Sequence, residues 1–330
     1  MEIELYNSLE LEGRRLLSNR QIQAFSPVTF SDGGYPTRCS SDQELWKFHD
    51  TMQEGRFSLW LHRDFPGGLE EKLYKLWTLA LESINCFGKS LASPRKLNAG
   101  QNSLVLSLGN FSRLKTIFDS LNVRISPFEL GPGCGYLQLL FGIDGVKTRS
   151  VDITQAYFIY QSRLFSFCEA EFDRNRYQFQ RPQQIFWWDI ARDPTKILRD
   201  TNVLVANHML NEMHPHSLRF ILSKLADAWH GDSNSRFVYA EMLGGGKYGD
   251  EAEINGVFNS FGFSGLKLSN RFYFWTLGGV DWLRSVLTET QTPKKASNLV
   301  PLEQVKTELD ALNSEQHPDE IFYNEIKLKH

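Results

Sequence analysis

Cysteine is scarce in this chain: four occur in 330 residues, at Cys39, Cys86, Cys134 and Cys168. They lie too far apart for Cys-x-x-Cys spacing, which excludes a zinc ribbon or a thioredoxin-type redox pair. Such usage fits reduced thiols, so a cytoplasmic location is expected. Long hydrophobic runs are missing as well. No uncharged apolar stretch approaches the roughly 18 residues needed to cross a bilayer, and no N-terminal segment has the charged, apolar, small-residue order of a signal peptide. Charge of one sign is lacking too. A net charge of −3 offers no electrostatic footprint for a polyanion. Neither a membrane nor nucleic acid is therefore an expected partner. Internal repeats and low-complexity tracts are absent.

What is present is an ordinary globular composition, 41% hydrophobic and 23% charged, with 13% aromatic residues. The length suits one large domain or two modest ones. Two textures divide it. Residues 1–120 read as mainly helical. Ser31-Asp32-Gly33-Gly34-Tyr35-Pro36 is a loop, and Ser41-Asp42-Gln43-Glu44 is a capping box before a helix with Leu45, Phe48 and Met52 on one face. A second helix carries Leu69, Leu73, Leu76, Trp77, Ala80, Leu81 and Ile84, and a third runs from Phe111 to Leu121. From about Ile125, short apolar strands alternate with helices. Strands are expected to end at Glu129, Asp152, Asp189, Asn207 and Glu241, with helices through Tyr157–Phe167 and Leu218–Trp229. Gly265–Leu268 and Arg271–Trp275 read as a closing hairpin. This is the pattern of a parallel sheet with helices on both faces. Residues 121–280 would form that α/β domain, and 281–330 a helical tail.

The densest signal is Pro127-Phe128-Glu129-Leu130-Gly131-Pro132-Gly133-Cys134-Gly135-Tyr136. An apolar strand ends beside an acid, a glycine-rich turn follows, and an amphipathic helix begins. Glycines let the backbone turn sharply and let a ligand approach it closely, while a helix start presents free N–H groups. A dinucleotide fingerprint would require glycine where Tyr136 stands. The acid-x-Gly-x-Gly-x-Gly run resembles the first motif of class I S-adenosylmethionine-dependent methyltransferases, over roughly residues 110–280. The fold the resemblance implies is a Rossmann-like seven-stranded sheet, the last strand antiparallel, here with a mainly helical N-terminal extension. The implied cofactor is S-adenosyl-L-methionine.

Roles follow from that resemblance. Glu129 with the Gly131, Pro132, Gly133 and Gly135 backbone would hold the methionine end. Asp152 would accept from both ribose hydroxyls and Ile153 would pack on the adenine. Asp189 would accept from the adenine amino group, with Ile190 beside the ring. Asn207, at the fourth strand end, would face the sulfonium. The following run, His208-Met209-Leu210-Asn211-Glu212-Met213-His214-Pro215-His216, lacks the Pro-Pro-aromatic sequence of amine methyltransferases. A histidine there suits a base that removes a hydroxyl proton, with His208 first, His214 second, and Glu212 orienting a histidine or binding substrate. His208, Glu212, His214 and His216 are metal-ligand types, but the His-Glu-x-x-His spacing is absent and no metal is expected. The expected activity is methyl transfer to a small-molecule acceptor, most simply at oxygen, with a loose similarity to sugar and natural-product O-methyltransferases. Alternatives are another SAM-dependent chemistry on the same fold (cyclase or decarboxylase), N-methylation, and a non-enzymatic interaction protein. The N-terminal aromatics Trp46, Phe57, Trp60, Phe65 and Trp77 would shape the acceptor pocket or form a homodimer face.

Overall fold

A computed structural model describes residues 1–25, 38–45, 57–90, 101–175, 177–230, 235–241, 250–268, 271–291 and 299–307. Phe48, Met52, Trp46 and the loops at 31–36, 244–246 and 292–295 lie outside them, as do the side chains of Phe57 and Trp60. The chain opens with α1 (Ile3–Arg15) and α2 (Asn19–Ala24), then α3 (Phe57–Asp64), β1 (Leu69–Glu70), α4 (Glu71–Ser90) and α5 (Gln101–Leu121). The α/β alternation follows: β2 (Pro127–Leu130), α6 (Tyr136–Ile143), β3 (Arg149–Val151), α7 (Gln155–Arg174), β4 (Gln183–Ile185), α8 (Trp187–Arg192), α9 (Pro194–Leu198), β5 (Val203–Val205), α10 (Pro215–Trp229), β6 (Phe237–Glu241), α11 (Glu251–Ser260), β7 (Ser264–Lys267), β8 (Phe272–Thr276), α12 (Asp281–Gln291) and β9 (Leu299–Val300).

Seven strands form one sheet in the order β4-β3-β2-β5-β6-β8-β7. Its first five members run parallel, and β8 is antiparallel to both β6 and β7. The expected Rossmann-like sheet with an antiparallel closing strand is thus the fold of this chain. Right-handed crossovers dictate the layers. Moving from β2 to β3 to β4 puts α6 and α7 on one face. Jumping back to β5 and on to β6 puts α8 to α11 on the other. Helix α4 packs on α6 and α7 and α5 on α6, with α3 and α12 against α5, while α2 packs on α8 and α10. The core runs through both parts: Leu108 and Leu114 of α5 are as fully buried as Phe128, Leu139 and Val205.

Local chemistry sets several boundaries. At α2, the Ser18 hydroxyl accepts from Gln21 N–H while the Gln21 side chain accepts from Ser18 N–H, a reciprocal cap. Asp250 and Glu253 do the same for α11. Ser41 accepts from Glu44 N–H at 3.3 Å, yet the Glu44 carboxylate turns to Ser40 instead of closing the expected box. Two differences are larger. Leu69–Glu70 pairs with Leu299–Val300 as a two-stranded ribbon inside a region read as helical. The third α/β strand stops at Ile185, so Asp189 sits in the first turn of α8 instead of at a strand end.

Aromatic packing explains that second correction. Phe186 and Trp188 stack at 4.4 Å, Tyr6 of α1 meets both rings, and the Trp187 indole donates to Glu10 at 3.1 Å. The aromatic run has strand propensity, but burial against α1 overrides it. Contact there is close enough to reverse a helix-propensity rule. A Cβ on Gly13 would lie 2.3 Å from Trp188 Cδ1. Gly13→Ala should therefore destabilise the protein by about 1–3 kcal/mol through overpacking, where an exposed helical site would gain from alanine. Chemical denaturation of the two proteins measures the sign.

Candidate functional site

The sheet order reverses at β2, the strand from which the chain first moves one way and later the other. Ligands of open α/β sheets bind at such a crevice, outside the carboxyl ends of the strands. Here that end carries the glycine loop. Gly131 N–H donates to Val151 O at 2.9 Å, and Gly135 N–H returns to Pro132 O at 2.9 Å, closing a tight turn. Gly131 and Gly133 have φ of 60° and 56°, left-handed values that strain residues with a side chain. A Cβ on Gly131 would run into Met209, whereas Gly133 faces open space with nothing within 4 Å.

Two carboxylates lie under this loop. Glu129, in the central strand, accepts from the wholly buried Gln138 amide of α6 at 2.9 Å. Asp152 follows β3 and accepts from Thr154 N–H at 2.8 Å. Both side chains are almost fully buried. Burial pushes the Glu129 carboxyl up to about 7, with the Gln138 bond opposing and the Asp152 charge adding. Burial also takes Asp152 to about 7, against hydrogen bonds from Thr154, Gly133 and Gln161. The Gln161 amide donates to Gly133 O at 2.6 Å and so fixes the loop from α7. Cys134 is pushed up to about 12 by burial, which keeps it a thiol.

A cleft of about 510 Å³, counting its open mouth, lies over these groups. Gly131 and Ile153 form one wall. Met209, Glu212, Met213 and His214 form the other, and Ala24 and Phe25 close it from the N-terminal side. Phe25 is held edge-on to Phe220 at 5.6 Å and lies parallel to Trp187 at 6.4 Å. Gln21 ties α2 to α8 by donating to Ala191 O at 2.8 Å.

The structure thus brings Gly131, Ile153, Glu212 and His214 to one cleft, with Glu129 and Asp152 beneath it. Asn207 begins the turn after β5, and its Oδ1 accepts from Glu241 N–H at 3.1 Å. His208 is exposed with φ of 54°, and its N–H donates to Glu241 O at 3.1 Å. Residues 207–213 are turns, and α10 begins only at Pro215. His214 is the helix cap: its Nδ1 accepts from His216 N–H at 3.2 Å, and the two rings stack at 4.9 Å. Asp189 pairs with Arg192 at 2.9 Å, Ile190 is wholly buried, and neither lines the cleft. Phe65 and Trp77, expected near a pocket, belong to the core. Phe25, Met209 and Met213 were not foreseen as site residues. The Ser18–Gln21 capping box marks the helix that delivers Phe25, but methionines in a turn leave no pattern.

The donor set fits S-adenosylmethionine. Gly133 keeps a space that a Cβ would fill, the acid two places before the loop suits a cationic amino group, and Asp152 offers a second buried acceptor one strand away. A diphosphate would meet two carboxylates.

No family model matches the chain, and no curated protein matches it in sequence. Among solved structures, it is similar to the magnesium protoporphyrin IX methyltransferase ChlM of Synechocystis PCC 6803 with bound SAM, at 12% identity, 61% of this chain, 96% of that chain and a TM-score of 0.36. A methyltransferase domain of bacterial CtHen1 aligns at 15% identity over 53% of this chain and all (100%) of that one, TM-score 0.37. A SAM-dependent methyltransferase from Clostridium acetobutylicum ATCC 824 aligns at 13% over 52% and 90%, TM-score 0.35. Likeness at this level is one of outline, and the geometry of the site decides what the chain can do.

The buried carboxyls carry a pH signature. Unfolded, they ionise near about 4. Folded, they hold their protons to about 7. The folded state therefore binds more protons between these values, and stability falls as pH rises through that window, by at most about 1.4 kcal/mol per pH unit for each group. Urea titrations of the ligand-free protein between about pH 5 and 7.5 should show the decline, and Glu129→Gln should flatten it.

Proposed function

We propose that this protein is an S-adenosylmethionine-dependent methyltransferase acting on a small-molecule acceptor, at oxygen. One observation carries the reading: a left-handed glycine loop at the sheet's switch point, whose Gly131 lines a cleft, stands beside two buried carboxylates, one in β2 and one just past β3. Glu129 and the Gly131–Gly135 backbone would hold the methionine end, Asp152 the ribose, and Ile153 the adenine face. Asp189 would accept from the adenine amino group, with Ile190 beside the ring; like Glu129, Asp152 and His208, they stand outside the cleft's own lining.

When bound, the cofactor supplies a methyl group already activated on a sulfonium. The protein's own task is then alignment and removal of one proton. We assign the second part to His208. Its backbone is anchored to the end of β6, and its side chain stands at the exposed rim beyond β5, where it takes the acceptor's hydroxyl proton onto an imidazole nitrogen. His214 is the second choice, since its Nδ1 already caps α10. The proposed division places residues 121–280 as the cofactor domain and 1–120 as the acceptor-shaping region, with the amendment that Phe25 reaches the cofactor's cleft. A cytoplasmic setting and a natural-product acceptor belong to the same proposal. A homodimer built on the N-terminal helices belongs to it too.

Calorimetry should detect binding of S-adenosylmethionine, weakened by roughly 1–3 kcal/mol in Asp152→Ala, the scale of hydrogen bonds lost to a charged acceptor. NADH binding in its place would remove the reading. With an acceptor in hand, His208→Ala should lower turnover roughly 10²–10⁴-fold while cofactor affinity changes little. Near-normal turnover in both His208→Ala and His214→Ala would leave alignment as the whole mechanism.

A further inference from the structure

Among the described residues, each carboxylate around the site has a counterpart, except one. Glu129 has Gln138, Asp152 has Thr154, and Glu241 has Arg271 and Asn110. Glu212 has no side-chain hydrogen bond or ion pair among the described residues, and burial is the single cause that raises its carboxyl above the ordinary range. Its place is fixed. Glu212 N–H and Met213 N–H both return to Met209 O, at 3.0 and 2.9 Å, so the turn holds the side chain on the cleft wall. The lining around it is apolar: Phe25, Ile153, Met209 and Met213. The other ionisable group on that lining, His214, directs Nδ1 at its own helix.

A half-buried carboxylate among apolar side chains is costly until a cation joins it. The thioethers of Met209 and Met213 are soft neighbours for a sulfur-bound methyl group. We propose that Glu212 is the cation-recognising residue of this cleft and makes it favour the sulfonium of S-adenosylmethionine over the neutral thioether of S-adenosylhomocysteine. The inference rests on the methyltransferase reading above. Its consequence is directional. Methyl transfer removes the sulfur's positive charge, so the product loses its attraction to Glu212 at the moment it must leave.

The test needs no acceptor. The full chain is titrated separately with S-adenosylmethionine, S-adenosylhomocysteine and sinefungin, which carries an ammonium group near the position of the methyl-sulfonium. In the wild type the two cations should bind more tightly, relative to S-adenosylhomocysteine, than in Glu212→Gln. The ratio should fall on the order of 10-fold in Glu212→Gln, while Glu212→Asp, which keeps the charge, should retain most of it. Persistent binding of S-adenosylhomocysteine shows that the variant is folded; if Glu212→Gln does not fold, Glu212→Ala takes its place. An unchanged ratio would overturn the role of Glu212 and leave the methyltransferase reading standing. Failure of the wild type to bind any of the three would remove that reading, and this inference with it.

Discussion

Everything about this site depends on β2 lying between β3 and β5, hydrogen-bonded to both. A parallel strand with neighbours on either side must send its connections in opposite directions, and the chain parts at its carboxyl end. The gap that opens there cannot be filled by side chains from β2, because the residues leaving the strand are glycines with left-handed backbone. Glu129 registers against Ser150 and Val205, so its carboxylate is fixed by the same pairing that makes the gap. The loop and the acids are therefore consequences of one arrangement. Met209, which fills the space beside Gly131, is the apolar plug that the arrangement tolerates.

A second constraint joins the helical N-terminal part to the rim. Arg271 pairs with Asp64 of α3 at 3.0 Å and with Glu241 at the end of β6, and Asn110 of α5 donates to Glu241 at 2.7 Å. Buried ion pairs are weak contributors to net stability but expensive to break from one side. Here they act on the turn that holds His208, because Glu241 receives the His208 N–H and donates its own N–H to Asn207. Helices α3 and α5 thus bear on the turn at His208 through Glu241 without reaching it themselves.

The fold was legible in the sequence because its signals are local. Strand runs such as Phe237–Glu241, the glycine turn and the antiparallel pair β7 and β8 each follow from a few neighbouring residues. The edge of the sheet was harder. Phe186-Trp187-Trp188-Asp189 has the composition of a strand, and residues distant in sequence, Tyr6, Glu10 and Gly13 among them, hold it in a helix. The site divides the same way. Glu129 and Asp152 announce themselves as acids beside strand ends, whereas Phe25 reaches the cleft through a helix packed on α8 and α10, and Glu212 is distinguished by having no side-chain partner among the described residues. Neither relation has a spacing that could be read along the chain.

The clasp formed by α1 and α2 also has a history in time. Tyr6 and Phe25 are buried, Tyr6 against Phe158, Phe186 and Trp188, and Phe25 against Trp187 and Phe220. A ribosome adding roughly 5–20 residues each second releases these apolar groups many seconds before their partners exist. During that interval the first two helices have no core to join. Their stability alone is marginal, since short helices in water gain little without tertiary packing. The segment that seals the cleft is thus made before the residues that bury it, and it can settle only once they have followed.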